Sequence, residues 1–354
     1  VSIAVVPGER VAAPRPAVDV SDRERARRIS AVIRFAERRL RRRFPILNWQ
    51  NLLGSLIFLS AAGCFVGSAA LYLTGNIPAW LCIVVNAICA SILHELEHDL
   101  IHSIYFRSQP VIQNFMMGAV WAFRGNIISP WVRRKLHLLH HKESGHHTDL
   151  EERLIGNGMK YSFLRVITTF DGFLSTVLRG HEFHDVPAFN QVTLALATLP
   201  CMLFFTMCWY AWLAFWVVSG GAMLLGTTVA WPAWVLAAMP ILNAMAVVYL
   251  LPNILRQASI NIVSSSMHYF GDVEGVVDQT QVLNAWYFLP LQIFCFNFGS
   301  THGIHHFVVS QPFYLRQMVA APAHAAMRKY GVRFNDLGTF GRANRYHAEP
   351  AAKA

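Results

Sequence analysis

The chain is short of charge. Asp, Glu, Lys and Arg make up 14% of its 354 residues, against roughly 25% in a typical soluble protein. Hydrophobic types reach 54%, and mean hydropathy is +0.36. The charges are also missing in blocks. Residues 44–93 contain no Asp, Glu, Lys, Arg or His, and neither do residues 186–255. No water-facing domain runs so far without a charge, so a soluble globular enzyme and a disordered or fibrous chain are both excluded. Cysteine is scarce too. Five of the six cysteines lie inside the charge-free runs at no regular spacing, which leaves no disulfide framework, no CxxC metal knuckle and no iron–sulfur pattern. No GxGxxG dinucleotide fingerprint is present.

What is present is a polytopic membrane pattern. About 20 apolar residues cross a bilayer as a helix. The first run fits spans at 51–73 and 79–98, broken at Thr74-Gly75-Asn76-Ile77-Pro78. The second fits spans at 191–217 and 234–256, with break points at Ser219-Gly220-Gly221 and Trp231-Pro232. The interrupted stretches Val111 to Ile128 and Trp286 to Phe298 read as interfacial or re-entrant. Residues 1–45 carry 12 Arg, no Lys and 5 acidic residues. Their partly apolar helix, ending near Arg43, reads as a basic cytoplasmic segment lying on the membrane surface. The expected architecture is all-α, with four transmembrane helices in a membrane domain at 46–310. A basic cytoplasmic segment (1–45) precedes it and a cytoplasmic tail (311–354) follows it, frayed from Asn335 onward.

Histidine supplies the chemistry. The chain has 16, mostly clustered. His94, His98 and His102 recur every four residues at the exit of the second span, in one row on a helix face. His137, His140 and His141 form an HxxHH box, with His146 and His147 following. His302, His305 and His306 form a second such box. His268 ends the helix that continues the fourth span, with Asn261 and Ser265 on the same face. Imidazole suits Fe, Zn, Cu and Ni. One metal takes at most six ligands, so nine or so imidazoles imply two metals, and a redox-active pair fits better than zinc. An even number of crossings in each apolar run puts all the boxes on one side, which the Arg-rich N-terminus marks as cytoplasmic.

These boxes, with the extra histidine between the second and third, resemble those of the membrane fatty-acid desaturase/hydroxylase superfamily over roughly residues 45–310. The resemblance implies a cytoplasmic His-rich helical cap that holds a di-iron site. Its ligands are then His94, His98, His137, His140, His141, His268, His302, His305 and His306. His102, Glu97, Asp149 and Asn261 are expected around them. The implied cofactors are two Fe ions and O2, with electrons from a separate ferredoxin or cytochrome b5 and its reductase, because the chain has no His-Pro-Gly-Gly haem signature.

The expected activity is an O2-dependent oxidoreductase on a fatty-acyl or lipid chain, with desaturation first. Decarboxylation to a terminal alkene and hydroxylation are the alternatives. Arg256, Tyr249 and Met245, with Cys89 and Ile92, are the expected substrate contacts, and Arg256 stands where a carboxylate would need an anchor. A zinc-binding receptor or transporter is the non-enzymatic alternative. Transporters place ionisable ligands near mid-span, whereas here the mid-portions of the spans lack Asp, Glu and His. No nucleic-acid partner is expected. His181, His184, His324 and His347 are expected at the surface.

Overall fold

The computed structural model describes residues 20–347. Apart from isolated bridges such as His268 to Thr280, the described secondary structure is helical. Four helical stretches are long and apolar enough to cross a membrane: Gln50–Leu73 (α2), Ala79–Ile101 (α3), Cys201–Leu224 (α10) and Ala233–Met267. The last comprises α11 (Ala233–Met245), a π turn (Ala246–Leu250) and α12 (Leu251–Met267). Pro252 explains the π turn. It has no N–H to donate, so the carbonyl of Val248 loses its helical partner. The buried Asn86 of α3 donates its Nδ2 to that carbonyl at 2.8 Å. The same side chain bonds Ser68 of α2, so one amide joins three spans.

The first turn falls where expected, between Leu73 and Ala79. The third span does not. Residues Gln191–Ala197 form a separate short helix (α9), because Pro200 interrupts the ladder and the long helix begins at Cys201. That helix runs through Gly220 and Gly221, so the turn is made by residues 225–232.

Between the two pairs of spans lie α4 (Pro110–Phe123), α5 (Pro130–Glu143), α6 (Leu150–Leu154), α7 (Phe163–Phe170) and α8 (Gly172–Arg179). Proline at the first position starts both α4 and α5. At about 1.5 Å per residue, 14 residues of α4 fall well short of a roughly 30 Å hydrocarbon core. Val111 and Phe115 are exposed on it, as are Trp286 and Leu289 beside α13 (Leu289–Phe294). Both stretches thus have the apolar surface expected of interfacial segments.

The N-terminal helix α1 (Asp22–Arg43) is capped by Ser21, whose side chain accepts from the Glu24 amide at 3.4 Å. Only part of its apolar face is exposed, at Val32 and Phe35. Ile29 and Ile33 are fully buried against Ile304 of α14 (Phe298–Phe307) and Val319, Ala323 and Met327 of α15 (Phe313–Lys329). The segment after 310 is likewise folded. Asn344 is buried and accepts from Arg165 at 2.7 Å, and Asp336 accepts from the Tyr269 hydroxyl at 3.0 Å. The expected fraying from Asn335 therefore does not occur up to residue 347, and the rest of that tail lies outside the described residues.

Candidate metal centre

α3 is the most enclosed of the four spanning helices, and it carries His98 to the site's floor. His102 caps its C-terminus. α5 brings in His137, His140 and His141, α14 brings His302, His305 and His306, and the end of α12 places His268. All three boxes and His268 contribute rings to one cluster.

The nine rings fall into two groups. His98, His102, His137, His141 and His305 form one, and His140, His268, His302 and His306 the other, with one ligand atom of each within 4.8 Å of the rest of its group. Helix geometry explains the division. Residues four apart differ by about 40° around a helix, and residues three apart by about 60° the other way. The outer pair of each HxxHH box, His137 with His141 and His302 with His306, thus grips one centre. The middle histidine, His140 or His305, reaches across to the other. The two boxes exchange their middle rings.

The chemistry of the donors fits a metal in each group. His137 Nδ1 is 2.7 Å from Glu151 Oε2, and His140 Nδ1 is 2.7 Å from Asp149 Oδ2. A carboxylate only accepts, so Nδ1 carries the proton and Nε2 keeps its lone pair. His268 Nδ1 donates to the Ser264 carbonyl at 2.9 Å with the same result. Yet the Nε2 atoms crowd together: 3.0 Å for His102–His137, His102–His305 and His141–His305, and 3.2 Å for His302–His306. Two such nitrogens repel unless a proton or a cation lies between them, and the five contacts among the Nε2 atoms of His102, His137, His141 and His305 are more than the protons of three rings can serve. Nitrogens about 2.1 Å from a common ion and at right angles stand about 3.0 Å apart.

Burial, reinforced by neighbouring imidazoles, depresses His102 to about 2 and lowers His137, His141, His302, His305 and His306. Burial also takes His268 down to about 3. Neutral rings are what a metal needs. His140 is the exception. Burial pulls it down most, but the Asp149 carboxylate together with Glu151 and Glu152 outweighs that and holds it up at about 9. A field that favours a proton on this ring favours a metal cation beside it equally.

His94 and His102 do not stand where they were expected. His94 belongs to neither group. Its Nδ1 lies 2.8 Å from an Arg124 nitrogen. Arginine only donates, so Nδ1 accepts and the ring's proton sits on Nε2, the opposite tautomer to that of His137 and His140. Arg124 itself is ion-paired to Glu97 at 3.0 Å. His102, one turn further along α3, fills the position instead.

Of the surrounding residues, Asp149 binds a box histidine as expected, and its other oxygen caps α6 by accepting from the Glu152 amide at 3.3 Å. Glu97 binds Arg124 and Arg133 (2.7 Å), not a histidine. Asn261 donates to the Thr169 carbonyl at 3.0 Å and accepts from Gln257. Sequence reasoning missed Glu151 and Glu152, the latter 3.3 Å from His268. The signal was there: an acidic turn that follows directly on a His-rich helix.

His324, expected at the surface, is buried and donates to the Ser300 carbonyl at 2.8 Å. His181, His184 and His347 are exposed.

A cavity of about 110 Å³ adjoins the histidines, lined among others by His94, His98, His302, Arg124, Arg256 and Asn261. Towards the membrane body, an apolar cleft of about 610 Å³ is lined by Phe65, Phe204, Met245, Val248 and Tyr249 among others. Between them runs the loop after α4. Tyr249 donates to the Ala122 carbonyl (2.7 Å), Asn253 to the Phe123 carbonyl (3.1 Å), and Arg256 to Asn126 Oδ1 (2.8 Å). Met245 and Tyr249 thus line the cleft and Arg256 the cavity. Cys89 is buried beside Phe65 and Ala90, and Ile92 packs with Leu93 and Leu96.

Among known proteins, the family model described as fatty acid desaturase matches residues 74–338. No curated protein matches the chain.

Proposed function

Because the chain belongs to the fatty acid desaturase family, and is thereby an integral membrane oxidoreductase, we propose that it is an O2-dependent di-iron enzyme acting on the aliphatic chain of a fatty acid or lipid. The observation that carries this reading is the convergence of nine imidazoles into two groups beside a cavity that an apolar cleft approaches from the membrane body. His98, His102, His137, His141 and His305 would hold one iron. His140, His268, His302 and His306 would hold the other, with fewer protein ligands and so more room for an exogenous one. When bound, the pair would supply the activation of O2, which takes two electrons from the substrate and two from a separate donor of the ferredoxin or cytochrome b5 type.

The protein's own part is orientation and exclusion. Glu151, Asp149 and the Ser264 carbonyl fix the tautomers of His137, His140 and His268, which also raises their basicity towards a metal. The apolar cleft takes the chain and keeps water away from it.

Desaturation is the first reading: two hydrogens leave adjacent carbons, and with O2, two donor electrons and two protons the products are an alkene and two waters. A second reading is supported by Arg256 on the cavity wall. Loss of the carboxyl group as CO2 with one β-hydrogen leaves a terminal alkene and has the same electron balance. In both, the cap and the two termini face the cytoplasm, where the donors are.

The test is mass spectrometry of lipids and volatiles from a host expressing the chain, with purified protein analysed for metal. Two iron atoms per chain and a new internal double bond support the first reading, and a shortened terminal alkene the second. One zinc per chain with no iron and no oxidised product would sink both.

A further inference from the structure

The cavity beside the histidines is lined by more positive than negative charge. Three guanidinium groups border it, those of Arg124, Arg133 and Arg256. Two carboxylates serve them: Glu97 pairs with Arg124 and Arg133, and Glu151 pairs with Arg133 at 3.4 Å. Glu152, also on the wall, is engaged through Oε1 by Ser264 and His268, while its Oε2 has no partner among the described residues and is open to an unused donor such as Arg256 Nε only through the cavity. Among the described residues Arg256 has no ion-pair partner. It is 1% exposed and bonds only neutral amide oxygens, Asn126 Oδ1 at 2.8 Å and Gln257 Oε1 at 2.9 Å. A buried guanidinium without a counter-ion is costly. Any cation held by the adjacent histidines raises that cost further.

Unused donors accompany it. Arg256 Nε, Arg124 Nε and His94 Nε2 are buried with no hydrogen-bond partner among the described residues. The His94 nitrogen is a donor because Arg124 occupies the other one. Buried polar groups without partners are uncommon in folded proteins. Three donors on residues that line one cavity, two of them cationic, call for an oxygen anion.

Size narrows the class. About 110 Å³ is the room of roughly three or four waters at about 30 Å³ each. A carboxylate and a few methylenes fit. A thioester carbonyl, by contrast, brings no negative charge to meet Arg256. Position narrows it again. Tyr249, on the apolar cleft, and Arg256 lie two turns apart on the same helical stretch, about 10 Å along its axis.

We propose that Arg256, with Arg124 and His94, binds the carboxylate of a free fatty acid, so that the carboxyl end lies beside the histidine groups and the tail is directed past the loop after α4 towards the apolar cleft. The proposal rests on the reading that the substrate is an aliphatic chain. It adds that the substrate is an unesterified acid and that the carbons nearest its carboxyl group meet the metals.

Binding to the metal-free protein in nanodiscs tests it without turnover. Radiolabelled dodecanoate at pH 8 is compared with methyl dodecanoate and dodecanoyl-CoA, with inorganic phosphate as competitor. A charged hydrogen-bonded contact of this kind is worth about tenfold to a hundredfold, so the wild type should prefer the acid over the ester by that factor. Arg256→Met should bring the two to near equality, and Arg256→Lys should restore part of the preference. Uptake of two metal ions by each variant checks that the fold is intact.

Equal binding of acid and ester by the wild type overturns the proposal without any variant. An unchanged preference in Arg256→Met also overturns it, as does complete displacement of dodecanoate by millimolar phosphate, which would mark a site for a free anion. Failure of the iron-loaded protein to oxidise any fatty substrate would instead remove the reading of function, and the acid-over-ester comparison would still decide the anchor.

Discussion

The Nε2 atoms of His102 and His305 lie 3.0 Å apart although 203 residues separate them in the chain. The contact joins the end of the second span to the third histidine box. It also makes His102, not His94, the partner of His98 on α3. Replacing His102 by Ala takes the five-histidine group down to four, so it should weaken metal binding there and leave the other group unchanged, read by chelator competition. His94→Ala should leave both affinities as in the wild type. The reverse result would return His94 to the ligand set. His184→Ala, on an exposed ring, is the control.

The two carboxylates act on different groups, since Glu151 holds His137 and Asp149 holds His140. Removing such a partner costs about 10–100-fold in metal affinity. Glu151→Gln should weaken the five-histidine group and Asp149→Asn the four-histidine group, read by chelator competition. Loss from both groups in either variant would point to a general structural role.

Beneath the site, Arg316 is buried and 2.6 Å from Asp99 Oδ1, with Glu95 at 3.6 Å. The other oxygen of Asp99 accepts from the Tyr105 hydroxyl at 2.9 Å and the Phe313 amide at 2.8 Å. Arg316→Met strands two buried carboxylates, at a cost of about 3–5 kcal/mol for a broken buried pair. The melting temperature should fall clearly, and adding Asp99→Asn should recover part of the loss. A single variant as stable as the wild type would show the pair to be replaceable.

On the proposed orientation, four crossings with a cytoplasmic cap, only the turns at 74–78 and 225–232 would reach the other side. In a chain carrying Cys64→Ser, Asn76→Cys and Thr228→Cys should react with an impermeant maleimide added outside whole cells. His184→Cys should react only after permeabilisation. Labelling of His184→Cys in intact cells would invert the orientation.

Much of this protein was decided by the sequence alone. Two long runs without charge can only be membrane helices, because burial in lipid is what tolerates them. Histidines at spacings of three and four project from one side of a helix whatever the helix packs against, so a multi-histidine metal site was legible before any coordinates.

Three further things needed the tertiary structure. Spacing could not choose between His94–His98 and His98–His102, since both are four apart, and Arg124 decided it by taking the lone pair of His94 from another element. Division of each HxxHH box between two centres became visible only when α5 and α14 faced each other. Arg256 without a counter-ion is a property of the space between helices, because the carboxylates that might have neutralised it, Glu97 and Glu151, are already held by Arg124, Arg133 and His137. Periodicity sets which side of an element a residue faces, and only packing sets which partner is left for it.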